Sequence, residues 1–435
     1  MTPEGSPAPP DERSRTGWGA ALLSGFLVFA LMLAIGLAIA FAGLAFIDSG
    51  PSLGAALRIG ALYLGPFHHV ALVFEGSLDV DLSRLPGSGV PTGASATVHL
   101  GVALLAVTAL AVWLLFRAGR ASSFGDDAGL RALTGARVAL GYAPPILLIA
   151  LLVAFEAPAE FGSFVTAGIR VSLSAWQALV FPLAIAAAAG AAGGLWAWAG
   201  ASERVAAVRV RAVLGGGWSM FLLALGLSSA GLLVAGVVQP DEPVALATPT
   251  TARYFARVFE RPGLGAVTLG HHIALIPNEA LWTLVPASGA CDVVRGSERA
   301  DILCYGSFPA QEPDGEVASG SAPVGYLLFL LVPAVATVWG GRRAAVLGRR
   351  EGWWPAVADG ALAGVAYGVF VGVGCLLASV TLSYAANAGT AAGGRLWIGP
   401  DPVRGTVGAL AWGILGGAIG AASARLRWSR AAPRG

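Results

Sequence analysis

The sequence predicts an all-α polytopic membrane protein, with about eight transmembrane helices arranged as two parallel four-helix repeats. Of its 435 residues, 56% are hydrophobic and only 12% are charged, and the mean hydropathy is +0.72. Runs such as residues 22–46 exceed the ~20 apolar residues that a helix needs to cross a bilayer. A soluble domain carries about twice this share of charged residues, so the composition excludes that class.

Eight apolar segments have the length of a spanning helix. The first follows a polar, Pro-rich leader, residues 1–16, which we expect to be disordered and cytoplasmic. The apolar run after this leader is far longer than the ~7–15 residues of a signal-peptide core, so we expect it to be retained as a helix. The predicted spans are residues 18–47, 97–116, 136–155, 171–199, 213–238, 323–339, 354–384 and 403–424.

The distribution of arginine predicts the orientation. Arginines precede the first span, follow the last, and occur in the connections after the second, fourth and sixth spans, while the acidic residues largely fall in the other connections. With eight spans, the positive-inside rule places both termini in the cytoplasm of a plasma-membrane protein. Because the net charge is only +2 and the arginines are spread over short loops, the expected partner is the lipid bilayer and not nucleic acid.

Two external connections, residues 48–96 and 239–322, are long. In the second, residues 252–262 place apolar and charged side chains on opposite faces, as in a helix lying on the membrane surface. Residues 51–64 have similar potential in the first. We therefore expect short interfacial or re-entrant helices in both connections.

The second long connection also contains Cys291 and Cys304. If it faces an oxidising compartment, two nearby cysteines most often form a disulfide, and two free thiols are the alternative.

Similar segments about 200 residues apart indicate an internal repeat. GWGAALL (17–23) resembles GWSMFLL (217–223), and the histidine pair at 68–69 resembles the pair at 271–272. We expect a first four-helix half over 17–200, a second over 201–427 that includes the external loop 239–322, and a cytoplasmic tail over 428–435. Four spans per half is an even number, so the repeats would be parallel and related by an axis along the membrane normal.

The histidine pairs are candidates for a metal or proton site. His68 precedes Glu75, and His272 precedes Glu279, by about two helical turns, so each pair would share a helical face. Imidazole and carboxylate suit Zn²⁺, and pseudo-symmetry would bring the two loops together. The alternatives are interfacial anchors that mark a duplication, and contacts to a ligand or partner. The complete candidate set is His68, His69, Glu75, His271, His272 and Glu279.

Polar side chains within spans are a second group of candidates. Arg170 and Arg404 lie near the outer ends of the fourth and eighth predicted spans, where each can snorkel. As a symmetric pair beside Glu156 or Glu160, they could instead bind an anion or pair with a carboxylate. Gln177 predicts an interhelical hydrogen bond.

The sequence does not predict an enzyme. The Gly-rich runs at 190–195 and 413–422 are not phosphate-binding loops, because the chain contains no Lys, and small residues at these spacings let membrane helices approach closely. Neither HExxH nor a convincing G-x-S-x-G motif occurs. No cofactor is expected apart from zinc at the histidines.

Two segments resemble a known family. HHIALIPNEALWTLVPASG (271–289) and WLLFRAGR (113–120) are similar to segments of the actinobacterial PerM-like polytopic proteins of cell division and envelope maintenance. The matching residues are Ile276-Pro277-Asn278, Trp282 and the Arg-Ala-Gly-Arg at 117–120, whereas the paired histidines and the cysteine loop depart from the family. More distantly, the chain resembles the multi-span "streptophobe" proteins of the same bacteria. The resemblance implies an actinobacterial membrane protein with envelope or cell-division partners.

Three functions are therefore compared. We favour a structural or regulatory envelope role, exerted through the external loops on protein partners. The first alternative is a transporter or permease with its pathway between the halves. The second is an intramembrane metal enzyme, which requires the paired histidines to converge.

Overall fold

The fold is described from a computed structural model of the chain. The structure describes residues 10–44, 52–80, 93–161, 165–238, 262–296, 299–305, 308–311, 317–320, 324–348, 352–387 and 391–431.

Helices dominate the described residues, and eight of them are long and apolar enough to cross a membrane. The predicted fold class is therefore confirmed. The helices are α1 (Pro10–Leu44), α2 (Leu53–Leu62), α3 (Leu64–Phe67), α4 (Leu105–Ser122), α5 (Ala128–Ala136), α6 (Val138–Leu152), α7 (Ala175–Ala201), α8 (Val205–Val238), α9 (Pro262–Ala287), a 3₁₀ segment (Val324–Leu330), α10 (Leu331–Gly348), α11 (Trp353–Ala378) and α12 (Pro402–Ala431). The candidate spans are α1, α4, α5 with α6, α7, α8, α10 with the end of the 3₁₀ segment, α11 and α12.

Several predicted boundaries differ from the structure. Helix α1 begins at Pro10, so residues 10–16 belong to a helix and not to a disordered leader. Proline suits the first helical position because the N–H that it lacks would have no intrahelical partner there. The short helix expected within 51–64 corresponds to α2. The surface helix expected at 252–262 lies, except for Pro262, outside the described residues.

Ten β-strands, which the sequence analysis did not predict, occupy the connections between spans. They are β1 (Leu72–Val80), β2 (Gly93–Gly101), β3 (Ala154–Phe161), β4 (Val165–Leu173), β5 (Asp292–Arg295), β6 (Arg299–Leu303), β7 (Phe308–Gln311), β8 (Val317–Gly320), β9 (Val380–Asn387) and β10 (Ala391–Pro400). Eight of them form one antiparallel sheet in the order β3-β4-β1-β2-β9-β10-β5-β6, and β7 and β8 form a separate pair. This eight-stranded unit, which lies outside the spans, is called the outer sheet below.

The outer sheet supports the count of eight spans. Its four hairpins, β1–β2, β3–β4, β5–β6 and β9–β10, come from the connections that follow the first, third, fifth and seventh spans. Hairpins can pair in a single sheet only if those four connections lie on the same side of the membrane. Each group of four spans also carries its two hairpins in the same order along the chain.

The outer sheet joins the two groups of spans through β2 and β9. Thr97 of β2 faces Ala385 of β9, and Leu100 faces Leu382. Strands from the first four spans lie on one side of this junction, and strands from the last four lie on the other.

Each group of spans has its own hydrophobic core, and glycines let its helices approach closely. A Cβ added at Gly25 of α1 would overlap the Val138 carbonyl of α6, and one at Gly194 of α7 would overlap the Arg131 carbonyl of α5. In the second group, Gly364 of α11 meets the backbone of Gly413 in α12 in the same way. This small-residue packing is the role that the Gly-rich runs predict.

Candidate functional site

Helix α9 connects the two hydrophobic cores and carries three of the candidate polar residues, His271, His272 and Glu279. Ala274 and Leu275 pack against the core of the first group of spans, while Leu281 and Leu284 belong to the core of the second. The polar side chains of α9 are therefore placed where the two groups of helices meet. We take this junction as the candidate functional site.

Two buried side chains hold α9 in place. The Asn278 side-chain NH₂ donates to the Ala103 carbonyl at 2.7 Å, and its Oδ1 accepts from the Leu105 N–H at 3.1 Å. The Trp282 Nε1–H donates to the carbonyl of Ala378, the last residue of α11, at 3.0 Å. Asn278 thus satisfies backbone groups at the start of α4, in the first group, and Trp282 satisfies one in the second.

His271 contacts Tyr63, which follows α2. The Tyr63 hydroxyl lies 2.8 Å from His271 Nε2, and the two rings are 5.6 Å apart. Burial raises the pKa of Tyr63, so the hydroxyl stays protonated at physiological pH and can donate to a neutral imidazole. This contact is a second polar link between α9 and the first group.

His272 and Glu279 form a pair about two turns apart on α9. His272 Nδ1 lies 3.5 Å from Glu279 Oε1, and the side chains are only 3% and 14% exposed. The spacing of seven residues does place the two groups on one face of the helix. A buried imidazole and carboxylate in contact can share a proton, and the pair is an ion pair when the imidazole is protonated.

His68 occupies a different position, inside the first core. Its Nδ1 lies 2.7 Å from the Leu64 carbonyl and its Nε2 contacts the Tyr142 hydroxyl. Because a carbonyl can only accept, Nδ1 carries the proton and Nε2 accepts from Tyr142. Burial lowers the pKa of His68 to about 4, an effect that outweighs the opposing hydrogen bond to Leu64. Both ring nitrogens are therefore engaged, and the imidazole is neutral at physiological pH.

His69 is the one non-glycine residue in the described chain with a positive φ, 59°. Burial lowers its pKa, and its ring lies 6.1 Å from that of Phe181. Adjacent histidines thus point into different surroundings, since His68 faces Tyr142 and His69 faces α7.

The shared face predicted for His68 and Glu75 is wrong. Residues 72–80 form strand β1, so the helical spacing does not apply. Glu75 instead lies opposite Arg170, which in turn lies opposite Glu156, across strands β1, β4 and β3. The Arg170 guanidinium is 3.8 Å from the Glu75 carboxylate and 3.7 Å from that of Glu156. All three side chains are about half exposed or more, so the triad contributes little stability.

The structure places Arg170, Gln177 and Arg404, predicted as an intramembrane polar site, in three different elements. Arg170 lies on the outer sheet because the fourth span begins at Ala175, later than expected. Gln177, in the first turn of α7, accepts the Ala71 N–H at 2.7 Å. Arg404 lies in the first turn of α12, with its Nε 4.0 Å from Asp401. The carboxylate that Arg404 contacts here, Asp401, is only three residues away in the sequence.

No group of three or more His, Cys, Asp or Glu side chains in the described residues is arranged to hold a metal ion. The two histidine pairs also differ in their place in the fold. His68 and His69 lie directly before β1, whereas His271 and His272 lie within α9, well before β5. They are not copies of one structural element, contrary to the expectation from the 200-residue spacing.

The predicted disulfide between Cys291 and Cys304 is confirmed. It closes the base of the β5–β6 hairpin, where Asp292 pairs with Leu303. Sequence reasoning missed Tyr63 and Asn278 at this site, and it also missed two buried residues elsewhere, Tyr142 and Asp292. Asp292 had a usable signal, because it is an acidic residue directly beside a predicted disulfide.

Comparison with known proteins gives no further identification: the chain matches no protein-family model, no curated protein and no solved structure.

Proposed function

We propose that the chain is an integral plasma-membrane protein with both termini in the cytoplasm, and that it has a structural or regulatory role in the cell envelope. The outer sheet is the part that acts on protein partners. The observation that carries the proposal is that all four connections on one side of the protein contribute to this sheet. A sheet that spans both groups of helices provides a rigid surface, and a rigid surface suits recognition better than separate loops do.

The charges of the connections support the orientation. Arg117, Arg120, Arg204 and Arg343 lie at the ends of spans that are opposite the outer sheet. By the positive-inside rule these ends face the cytoplasm, so the outer sheet faces outwards. The Cys291–Cys304 disulfide fits this side, because disulfides persist in oxidising compartments.

The test is site-specific photo-crosslinking in intact cells. A photoreactive residue replaces Ser77, which is exposed on strand β1, and in a matched variant it replaces Asp126, which is exposed on the opposite side. We expect protein adducts from position 77 that weaken when Arg170, on the neighbouring strand, becomes Ala. Identical adducts from both positions, or adducts from position 126 alone, would contradict the proposed surface.

A transporter is the second candidate, and the buried His272–Glu279 pair favours it. Buried ionisable residues where two helix groups meet often mark a proton or ion pathway. Purified protein in liposomes with an internal pH dye would show proton flux, and Glu279→Gln would abolish it. An equal flux in the variant would exclude this role for the pair.

A further inference from the structure

The turn that precedes the β1–β2 hairpin has a distinctive backbone. The N–H groups of His68 and Val70 both donate to the Gly65 carbonyl at 3.0 Å, and His69 between them has positive φ. The His68 side chain anchors the turn through its contact with the Leu64 carbonyl at 2.7 Å.

The turn that precedes the β5–β6 hairpin repeats this pattern. The N–H groups of Ser288 and Ala290 donate to the Val285 carbonyl at 3.0 and 3.2 Å, and Gly289 between them has a φ of 89°. The Ser288 hydroxyl donates to the Leu284 carbonyl at 2.8 Å. Ser288 therefore takes the structural place of His68.

Two buried tyrosines, Tyr142 in the first group and Tyr367 in the second, also occupy corresponding positions. A Cβ added at Gly25 of α1 would be 3.1 Å from the backbone N of Tyr142, and one at Gly217 of α8 would be 3.1 Å from that of Tyr367. Each tyrosine thus lies at the same crossing of the first and third helices of its group. Both side chains are fully buried.

The polar groups around the two tyrosines differ. Tyr142 has His68 as its hydrogen-bond partner. In the described part of the chain, the Tyr367 hydroxyl has no hydrogen-bond partner, and neither carboxylate oxygen of the fully buried Asp292 has one. Asp292 is the first residue of β5, and the first residue of β1 is Leu72. The second group therefore has a buried acid where the first has an apolar side chain.

Several elements meet at Asp292. Asp292 lies opposite Pro400 across the β5–β10 pairing, and the neighbouring Cys291 carbonyl accepts the Asp401 N–H at 3.1 Å. The Cys375 thiol of α11 is within electrostatic reach of both Asp292 and Asp401. The titratable and charged groups placed near Asp292 are Arg295 on the same strand, Asp401 and Arg404 at the start of α12, and Cys375 on α11.

The nearby arginine does not neutralise Asp292. The Arg295 guanidinium lies 3.4 Å from the Asp401 carboxylate and 5.1 Å from the centre of the Trp397 ring. Asp401 uses its other oxygen to accept the N–H groups of Val403 and Arg404 at 3.0 and 3.2 Å. Of the two carboxylates, Asp292 and Asp401, it is therefore Asp401 whose charge is balanced by Arg295 and by backbone N–H groups.

We propose that Asp292 is a buried proton-binding site, whose carboxyl group is neutral while the β5–β6 hairpin is docked on β10 and whose ionisation releases that hairpin. A buried carboxylate without a hydrogen-bond partner or counter-ion is far less stable than its neutral acid. The neutral acid has one O–H donor to satisfy, whereas the ionised carboxylate has two charged oxygens that need donors. Among the described residues, four pairs join β5 to β10, so opening this edge is the simplest way to hydrate the charge.

The direction of the pH dependence follows from burial. Burial raises the pKa of Asp292 well above its usual value, so the folded protein binds the proton more tightly than the unfolded chain. The ionisation of Asp292 therefore costs no stability below its ordinary pKa, and stability is lost as pH rises from that value towards the raised pKa.

The experiment compares wild type, Asp292→Asn and Glu75→Gln as purified full-length proteins in detergent. Asn has the shape of the neutral acid, and Glu75 is an exposed carboxyl of the same sheet. From about pH 5 to about pH 9 we expect the unfolding midpoint to fall further in wild type and Glu75→Gln than in Asp292→Asn. At one alkaline pH, the amides of 292–295 should exchange hydrogen faster in wild type than in Asp292→Asn.

Infrared spectroscopy provides a readout that does not depend on stability. A protonated-carboxyl band at neutral pH should be present in wild type and Glu75→Gln and lost in Asp292→Asn and in Asp292→Leu, which copies Leu72. The same band in all four proteins, or equal pH dependence in wild type and Asp292→Asn, would overturn the proposal. A higher unfolding midpoint in sodium chloride than in choline chloride, seen in wild type but not in Asp292→Asn, would also overturn the proposal. The site would then bind a metal cation.

Discussion

Removing the Tyr142 hydroxyl tests the description of the first core most sharply. In Tyr142→Phe the volume of the ring is kept, but His68 Nε2 loses the group that donates to it. Both side chains are fully buried, so water does not replace the lost donor. A buried acceptor without a partner costs ~1–3 kcal/mol, and we expect the free energy of unfolding to fall by that amount. Tyr384→Phe is the control, because Tyr384 is 48% exposed.

The assay is unfolding in mixed detergent micelles, followed by tryptophan fluorescence. A double-mutant cycle with His68→Ala separates the hydrogen bond from the loss of packing. We expect a coupling energy of ~0.5–3 kcal/mol between His68 and Tyr142. Zero coupling, or an equal loss of stability in Tyr142→Phe and Tyr384→Phe, would refute the assigned hydrogen bond.

Three further predictions follow from burial, covalent geometry and packing. Because the pKa of His68 is lowered from 6.5 to about 4, wild type should lose ~3 kcal/mol as pH falls through this range, measured as the free energy of unfolding, and a His68→Phe variant should lose less. Replacing Cys291 and Cys304 by Ser should cost ~3 kcal/mol, as expected for a loop of this length, and an unchanged unfolding midpoint would contradict it. Gly194→Ala should destabilise strongly because its Cβ would overlap the Arg131 carbonyl, whereas Gly226→Ala, with open space around it, should be tolerated; equal expression and unfolding midpoints would contradict the helix crossing.

The eight helices could be predicted from sequence because crossing a bilayer requires a long apolar run, and that signal is independent of tertiary contacts. The strands gave a weaker signal next to these runs. Residues 165–173 alternate Val, Ala, Ile, Val and Leu with Thr, Gly, Arg and Ser, the period of a half-buried strand. Because this segment continues directly into α7, the sequence predicts that its end belongs to the helix and that Arg170 lies at the outer end of that span.

Contacts of the site could be predicted only between residues that are close together in the sequence. Cys291 and Cys304 are close in sequence, and His272 and Glu279 share a helix, so spacing alone brings each pair together. The partners of His68 and Asn278 come from segments far away in the chain. Such contacts depend on how the helices pack, and no spacing in a single sequence encodes them. The two HH pairs are alike in sequence only, because His68 and His69 lie between α3 and β1 whereas His271 and His272 lie within α9.

The most direct test of the whole account is a disulfide engineered across the junction of the outer sheet. Thr97 and Ala385 face each other on β2 and β9, and facing residues on antiparallel strands lie within disulfide distance. In a Thr97→Cys, Ala385→Cys variant with a protease site inserted in 239–261, the two fragments should stay joined on a non-reducing gel and separate after reduction. A Thr97→Cys, Thr381→Cys control, displaced by ~13 Å along β9, should separate in both conditions. Separate fragments in the facing pair, or cross-linking in both variants, would contradict a single sheet that joins the two groups of helices.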